Sequence, residues 1–213
     1  NTDNLLKMVP GVNVNRSWGI FSRNAAVTMR GMPGSSRSLI LLDGVPLNKT
    51  AGGTINWHLV TPEEIESIEV VKGPGSSLYG MNAMGGVINI ITKKPAKNLE
   101  GMLDIGSGSY YTVKTQLNLT GQSIEDNKGL YWKFGAFYRQ GDGYILEREE
   151  TRDSLDVEAF LVEGNINALL GYQFGLRKKL ELDYRYYNDL RGNGVQVYEE
   201  DGSYESFTDH NIR

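Results

Sequence analysis

The chain has 213 residues, 26 of them glycine and none cysteine, so it can form one large domain or two small ones but neither a disulfide framework nor a thiolate metal site. A net charge of −4 is too mild for a nucleic-acid binder. Nowhere do about 18 apolar residues run together, so no membrane-spanning helix is encoded. Residues 1–100 hold ten Lys/Arg against seven Asp/Glu, residues 101–213 hold twelve against nineteen, and eleven of the twelve tyrosines follow residue 100. That shift predicts two domains meeting near Pro95, assigned as 1–97 and 98–213.

In chain order, Leu5–Val12 reads as the end of a short helix broken by Pro10-Gly11. Val27–Gly31 and Ser38–Gly44 are strand-like, the second closing in an Asp43-Gly44 turn. Thr61-Pro62-Glu63-Glu64 signals a helix start, with Thr61 as cap and acids in the first turn. Ile68–Lys72 is a further strand, giving a small mixed α/β unit.

The stretch that follows, GPGSSLYGMNAMGGVINIITKKP (73–95), is dense in glycine. Gly75 and Gly80 have P-loop spacing, but Met81 and Asn82 stand where Lys and Ser or Thr would reach a phosphate. Counted from Gly73, the third glycine of a dinucleotide fingerprint falls on Leu78, and Gly85 leads into a β-branched strand rather than a helix. Ser77 lacks the flanking glycine of a nucleophile elbow, since Tyr79 stands there. These glycines are expected to serve bends and close packing. With His58 and His210 the only histidines, no catalytic grouping, metal site or cofactor is expected.

Beyond residue 100 the period changes to two. Val113, Thr115, Leu117 and Leu119 alternate with Lys114, Gln116 and Asn118. The pattern recurs over 130–138, 162–172 and 180–186. Runs of about ten residues cross a bilayer when tilted, and soluble strands are commonly shorter. Brief connections near 106–110, 122–129 and 174–178 contrast with a long acidic one at 141–156 and a second expected from Arg191. Five strands and the start of a sixth, in a transmembrane antiparallel barrel, are predicted.

The runs LLKMVPGVNV, VTMRGM, LILLDGVPLN and IESIEVVKGPGSSLYGMNAMGGVINIITKKP, in that order, closely resemble the plug domain of TonB-dependent outer-membrane transporters. The resemblance implies a mixed α/β plug followed by the first strands of a 22-stranded barrel that encloses it. It assigns plug-signature or plug–barrel contacts to Arg30, Gly31, Asp43, Gly44, Glu69, Lys72, Gly73, Pro74, Tyr79, Gly80, Gly85, Gly86 and Asn89. The family commonly has arginine where Lys72 stands, and lysine cannot form the same bidentate fork.

It further implies active import, without covalent chemistry, of a scarce nutrient. A ferric siderophore is the first choice and haem the second, with cobalamin or a glycan or peptide as other cargo. The implied partners are the TonB protein and outer-membrane lipid. The TonB box and the remaining strands are expected to lie outside these residues. A barrel that serves as a receptor or adhesin without transport is the rival reading. Ligand contacts are expected from two outward loops, through Trp18, Phe21 and Arg23 in one and Asn56, Trp57 and His58 in the other, on the premise that these aromatics are exposed.

Overall fold

The computed structural model describes residues 2–16, 25–32, 35–49, 52–80, 82–198 and 204–212. They fall into two compact units, Asn1–Lys94 and Pro95–Arg213.

In the first unit α1 (Asp3–Leu6) precedes an antiparallel pair, β1 (Val12–Asn15) and β2 (Ala26–Met29). The expected helix thus ends earlier than its apolar run, because Val9-Pro10-Gly11 turns the chain into β1. A four-stranded sheet follows, built from β3 (Ser38–Leu42), β4 (Val45–Pro46), β5 (Ile65–Lys72) and β6 (Gly86–Thr92) in the order β4-β3-β6-β5. β3 and β6 run parallel at its centre, and every residue of β3 is buried, as expected where both faces are covered. Ile40, Leu42, Ile88 and Ile90 join Leu6, Val27, Met29, Trp57 and Val60 in the main core. Leu39, Leu41, Val87 and Ala83 form a smaller cluster on the other side. Each such Val, Leu, Ile or Met side chain withdrawn from water contributes roughly 1.5–3 kcal/mol.

The helix signal at Thr61 yields only a 3-10 turn, Pro62–Glu64. The cap forms, with the Thr61 hydroxyl donating to Glu64 Oε1 at 2.8 Å. β5 then begins at once, because Ile65, Ile68 and Val70 pack on the core while their backbone pairs with β6. Sheet pairing overrides the local start signal.

The second unit is a six-stranded antiparallel sheet in which every strand pairs with its neighbour in sequence. Its strands are β7 (Glu100–Gly108), β8 (Thr112–Glu125), β9 (Lys128–Gly141), β10 (Leu161–Gly175), β11 (Lys178–Tyr198) and β12 (Tyr204–Ile212). β8 to β11 have 14, 14, 15 and 21 residues, far beyond the roughly 5–6 of ordinary strands.

The loop expected from Arg191 is instead a continuation of β11 to Tyr198. Gly192 and Gly194 suggest a turn in the sequence, but they make room for neighbours. A methyl group on Gly192 would lie 2.6 Å from the Phe160 ring, and one on Gly194 would touch Leu146. The segment between β9 and β10 lies against this extension. Gly192 N–H donates to Phe160 O (3.0 Å), Val157 N–H to Gly194 O (3.0 Å) and Gln196 N–H to Leu155 O (2.8 Å). The acidic connection is therefore an ordered strap.

Candidate functional site

The signature residues converge on the sheet of the first unit. At the end of β3, Asp43 accepts both the backbone N–H (2.9 Å) and the hydroxyl (2.8 Å) of Thr92, and Asn89 Oδ1 accepts the Gly44 N–H at 3.2 Å. Asn89 also donates to Glu69 Oε2 at 3.4 Å. Asn48, at the end of the LILLDGVPLN run, accepts the Ile40 N–H (2.8 Å) and donates to Ser38 O and Gly53 O, a role that no local pattern signals. The Asp-Gly turn and the segment after it are thus pinned to the sheet by side-chain amides and a carboxylate.

The glycine-rich excursion closes on itself. Gly73 N–H donates to Gly85 O (3.2 Å), and Gly75 N–H to Ala83 O (2.7 Å). Both of these glycine donors are therefore occupied, and among the described residues the excursion holds a one-turn helix, α2 (Ser76–Tyr79). Gly86 allows a close approach, since a Cβ there would stand 2.5 Å from Val71 O and 2.8 Å from Met29 Cε. Arg30 donates to Lys72 O at 3.4 Å, and its guanidinium lies over Gly73. Arg30, Gly31, Lys72, Pro74, Tyr79 and Gly80 are exposed.

Trp18, Phe21 and Arg23 lie outside the described residues. The other expected contacts are not at a surface. Trp57 is 3% exposed and its Nε1–H donates to Ala25 O at 2.8 Å. His58 is 6% exposed, with its backbone N–H held by Asn56 Oδ1 at 3.0 Å, and Asn56 is itself buried. The premise of an exposed aromatic loop is corrected at Asn56, Trp57 and His58. An indole with a carbonyl in reach gains more from the core than from solvent.

Near the chain start, Arg16 grips Asp3 with two hydrogen bonds, Nε to Oδ2 at 2.7 Å and a terminal nitrogen to Oδ1 at 2.8 Å. Asp3 is 1% exposed. The two residues stand thirteen positions apart, and no periodicity joins them.

In the second unit, strand register separates two kinds of face. One carries Leu117, Ala136, Ile166 and Tyr186 in one row across β8 to β11, and Leu119, Phe134, Ala168 and Tyr184 in the next. This face is open: Ile166, Leu170, Leu182 and Tyr184 are 44%, 52%, 71% and 58% exposed. The other carries Lys114, Arg139, Glu163 and Asp189 in one row. Glu163 (1% exposed) pairs with Arg139 at 2.6 Å and accepts the Tyr187 hydroxyl at 2.9 Å. Arg191 Nε donates to Asp189 at 2.6 Å. At these rows polar groups are buried and apolar ones exposed, the reverse of a soluble sheet and the arrangement of one whose outer solvent is lipid.

A family model described as "TonB-dependent Receptor Plug Domain" matches residues 1–87. The chain is 35% identical over 147 residues to the vitamin B12 transporter BtuB of Vibrio vulnificus, a match covering 69% of this chain and 23% of that protein. It is 39% identical over 115 residues to the ferric enterobactin receptor PirA of Pseudomonas aeruginosa, covering 47% of this chain and 15% of the other. Among solved structures, the siderophore receptor PirA from Acinetobacter baumannii superposes with a TM-score of 0.64 at 26% identity, over 92% of this chain and 30% of that one. The chain therefore spans less than a third of each of these relatives.

Proposed function

We propose that the chain belongs to the TonB-dependent receptors through its plug domain and that it serves the TonB-driven import of a metal chelate across the outer membrane. A ferric siderophore is the first cargo. The similarity to a B12 transporter makes cobalamin the second. The observation that carries the reading is the inside-out sheet that follows the plug in the chain, with Ile166 and Leu182 exposed on one face and Glu163 buried on the other. Such a sheet suits a barrel wall, and a receptor of this kind needs a wall and a gate together.

In this reading the plug signature is structural. Asp43, Asn48 and Asn89 hold the sheet's turns while Arg30 and Lys72 present exposed cations. Trp57, buried on Ala25 O, serves the core and makes no ligand contact. The role is transport and not catalysis.

The test is uptake of radio-iron chelates by cells carrying the full-length receptor, with the TonB gene intact or deleted. Uptake that requires both receptor and TonB is expected. Binding without TonB-dependent accumulation would leave a receptor or adhesin and overturn the import reading.

A further inference from the structure

A cavity of about 680 Å³ opens at the end of the second unit where the strap lies, lined by Tyr110, Tyr111, Asp142, Val157, Glu158 and Phe160 among others. That volume falls within the roughly 300–1,000 Å³ of small-molecule sites. We propose that this cleft binds a ring-bearing metal chelate of zero or positive net charge, with N–H or ammonium donors, and disfavours an anionic one. The proposal rests on the import reading and names the class of cargo.

Three independent features point there. First, Tyr110 and Tyr111 occupy a two-residue turn, with Thr112 N–H donating to Ser109 O at 3.2 Å and φ of +57° and +52°. Two positive φ angles call for Asn, Asp or Gly. The opposite-end turn between β8 and β9 obeys that rule with Asp126 (φ +48°) and Asn127 (φ +62°). Tyrosines at the first turn are thus poorly suited to its backbone, and their rings are presented outward, with Tyr111 84% exposed.

Second, the walls are preformed. The Tyr110 ring packs on Tyr144 with centroids 5.3 Å apart, and Asp142 N–H donates to Tyr110 O at 3.0 Å. Tyr144 O in turn accepts the Ala159 N–H, and the strap is hydrogen-bonded along β11. A ligand entering here would not have to order the loop first.

Third, the charge has one sign. The ionisable carboxyls lining the cleft are Asp142 and Glu158, with no lysine or arginine among the lining residues. Residues 141–158 carry seven acids against Arg148 and Arg152. Such a field attracts ammonium and N–H donors and opposes a polyanionic chelate. Tyrosine faces take a flat ring or a cation, and their hydroxyls can donate to chelate oxygens.

Two sources share this chemistry, a ferric hydroxamate and a cobalt corrinoid, and the probes separate them. Equilibrium binding to the full-length, detergent-purified receptor is measured for a ferric trishydroxamate with a pendant ammonium, for cyanocobalamin, and for a trianionic ferric triscatecholate. The first or second is expected to bind at least about tenfold more tightly than the third. Tyr111→Ala should weaken the preferred probe roughly tenfold, while Tyr111→Phe keeps most of the affinity. Asp142→Asn with Glu158→Gln should weaken the cationic chelate about three- to tenfold and flatten its salt dependence. Unchanged heat-modifiable gel mobility checks that each variant is folded.

Tightest binding by the triscatecholate overturns the proposal. So does a preferred probe that neither the Tyr111→Ala nor the double variant affects, even though uptake then leaves the import reading standing. If no chelate is bound or imported by the unaltered receptor, both fall together.

Discussion

Gly86 stands at the meeting of β3, β5 and β6, facing Ser38 on one side and Lys72 on the other. Its φ of +148° and the 2.5 Å left for a Cβ before Val71 O admit no side chain. Gly86→Ala is expected to shift backbone in the plug sheet and to destabilise it by about 1–3 kcal/mol, read as faster proteolysis of the plug in the intact receptor. Trp57 tests the corrected site. Trp57→Phe should cost about 1 kcal/mol, for the lost hydrogen bond to Ala25 O, and Trp57→Ala about 3–5 kcal/mol, both with chelate affinity kept once the protein is folded. A large affinity loss in a folded Trp57→Phe variant would restore the tryptophan as a contact. At the polar face, Glu163→Ala removes the buried ion pair with Arg139 and the hydrogen bond from the Tyr187 hydroxyl. A loss of about 3–5 kcal/mol is expected in denaturant unfolding, and a much smaller loss when Arg139 is replaced as well.

At the scale of elements, β8 to β11 were legible because alternation is a local property. Val113, Leu117, Phe134 and Ile166 repeat every second residue whatever their partners are. The β3 strand was legible for a related reason, as a run of apolar residues ending in Asp-Gly. What could not be read is what depends on partners remote in sequence. Gly192-Asn193-Gly194 has the chemistry of a turn until Phe160 and Leu146 are known to lie over it. Trp57, beside Gly52-Gly53 and His58, looks like an exposed loop aromatic until Ala25 supplies an acceptor. Register gives this scale its own test. Leu182→Arg, on the open apolar face, should cost about 2–4 kcal/mol of folding into lipid vesicles if it lies near mid-bilayer. Asp183→Arg, on the polar face, should cost less than half as much. Equal costs at the two neighbours would contradict the assigned faces.

For the whole molecule, two units of different construction follow one another in the chain. The first is a conventional small fold with a buried aliphatic core, in which glycines and side-chain amides fix the turns. The second buries Gln116, Glu163, Asn165 and Asp189 while Ile166, Leu170 and Leu182 stand open, which water would not stabilise. The import proposal accounts for both, with the first unit as its gate and the second as its lipid-facing wall.

That claim has a direct test, helped by the absence of cysteine from this chain. Single cysteines placed along β10 from Val162 to Tyr172 in the full-length receptor would carry spin labels, read with lipid-soluble and water-soluble relaxation agents in bilayers. Lipid access is expected at 162, 164, 166, 168, 170 and 172, alternating with its loss at the residues between. Uniform access to the water-soluble agent along the strand would contradict a membrane-spanning wall, and with it the receptor reading.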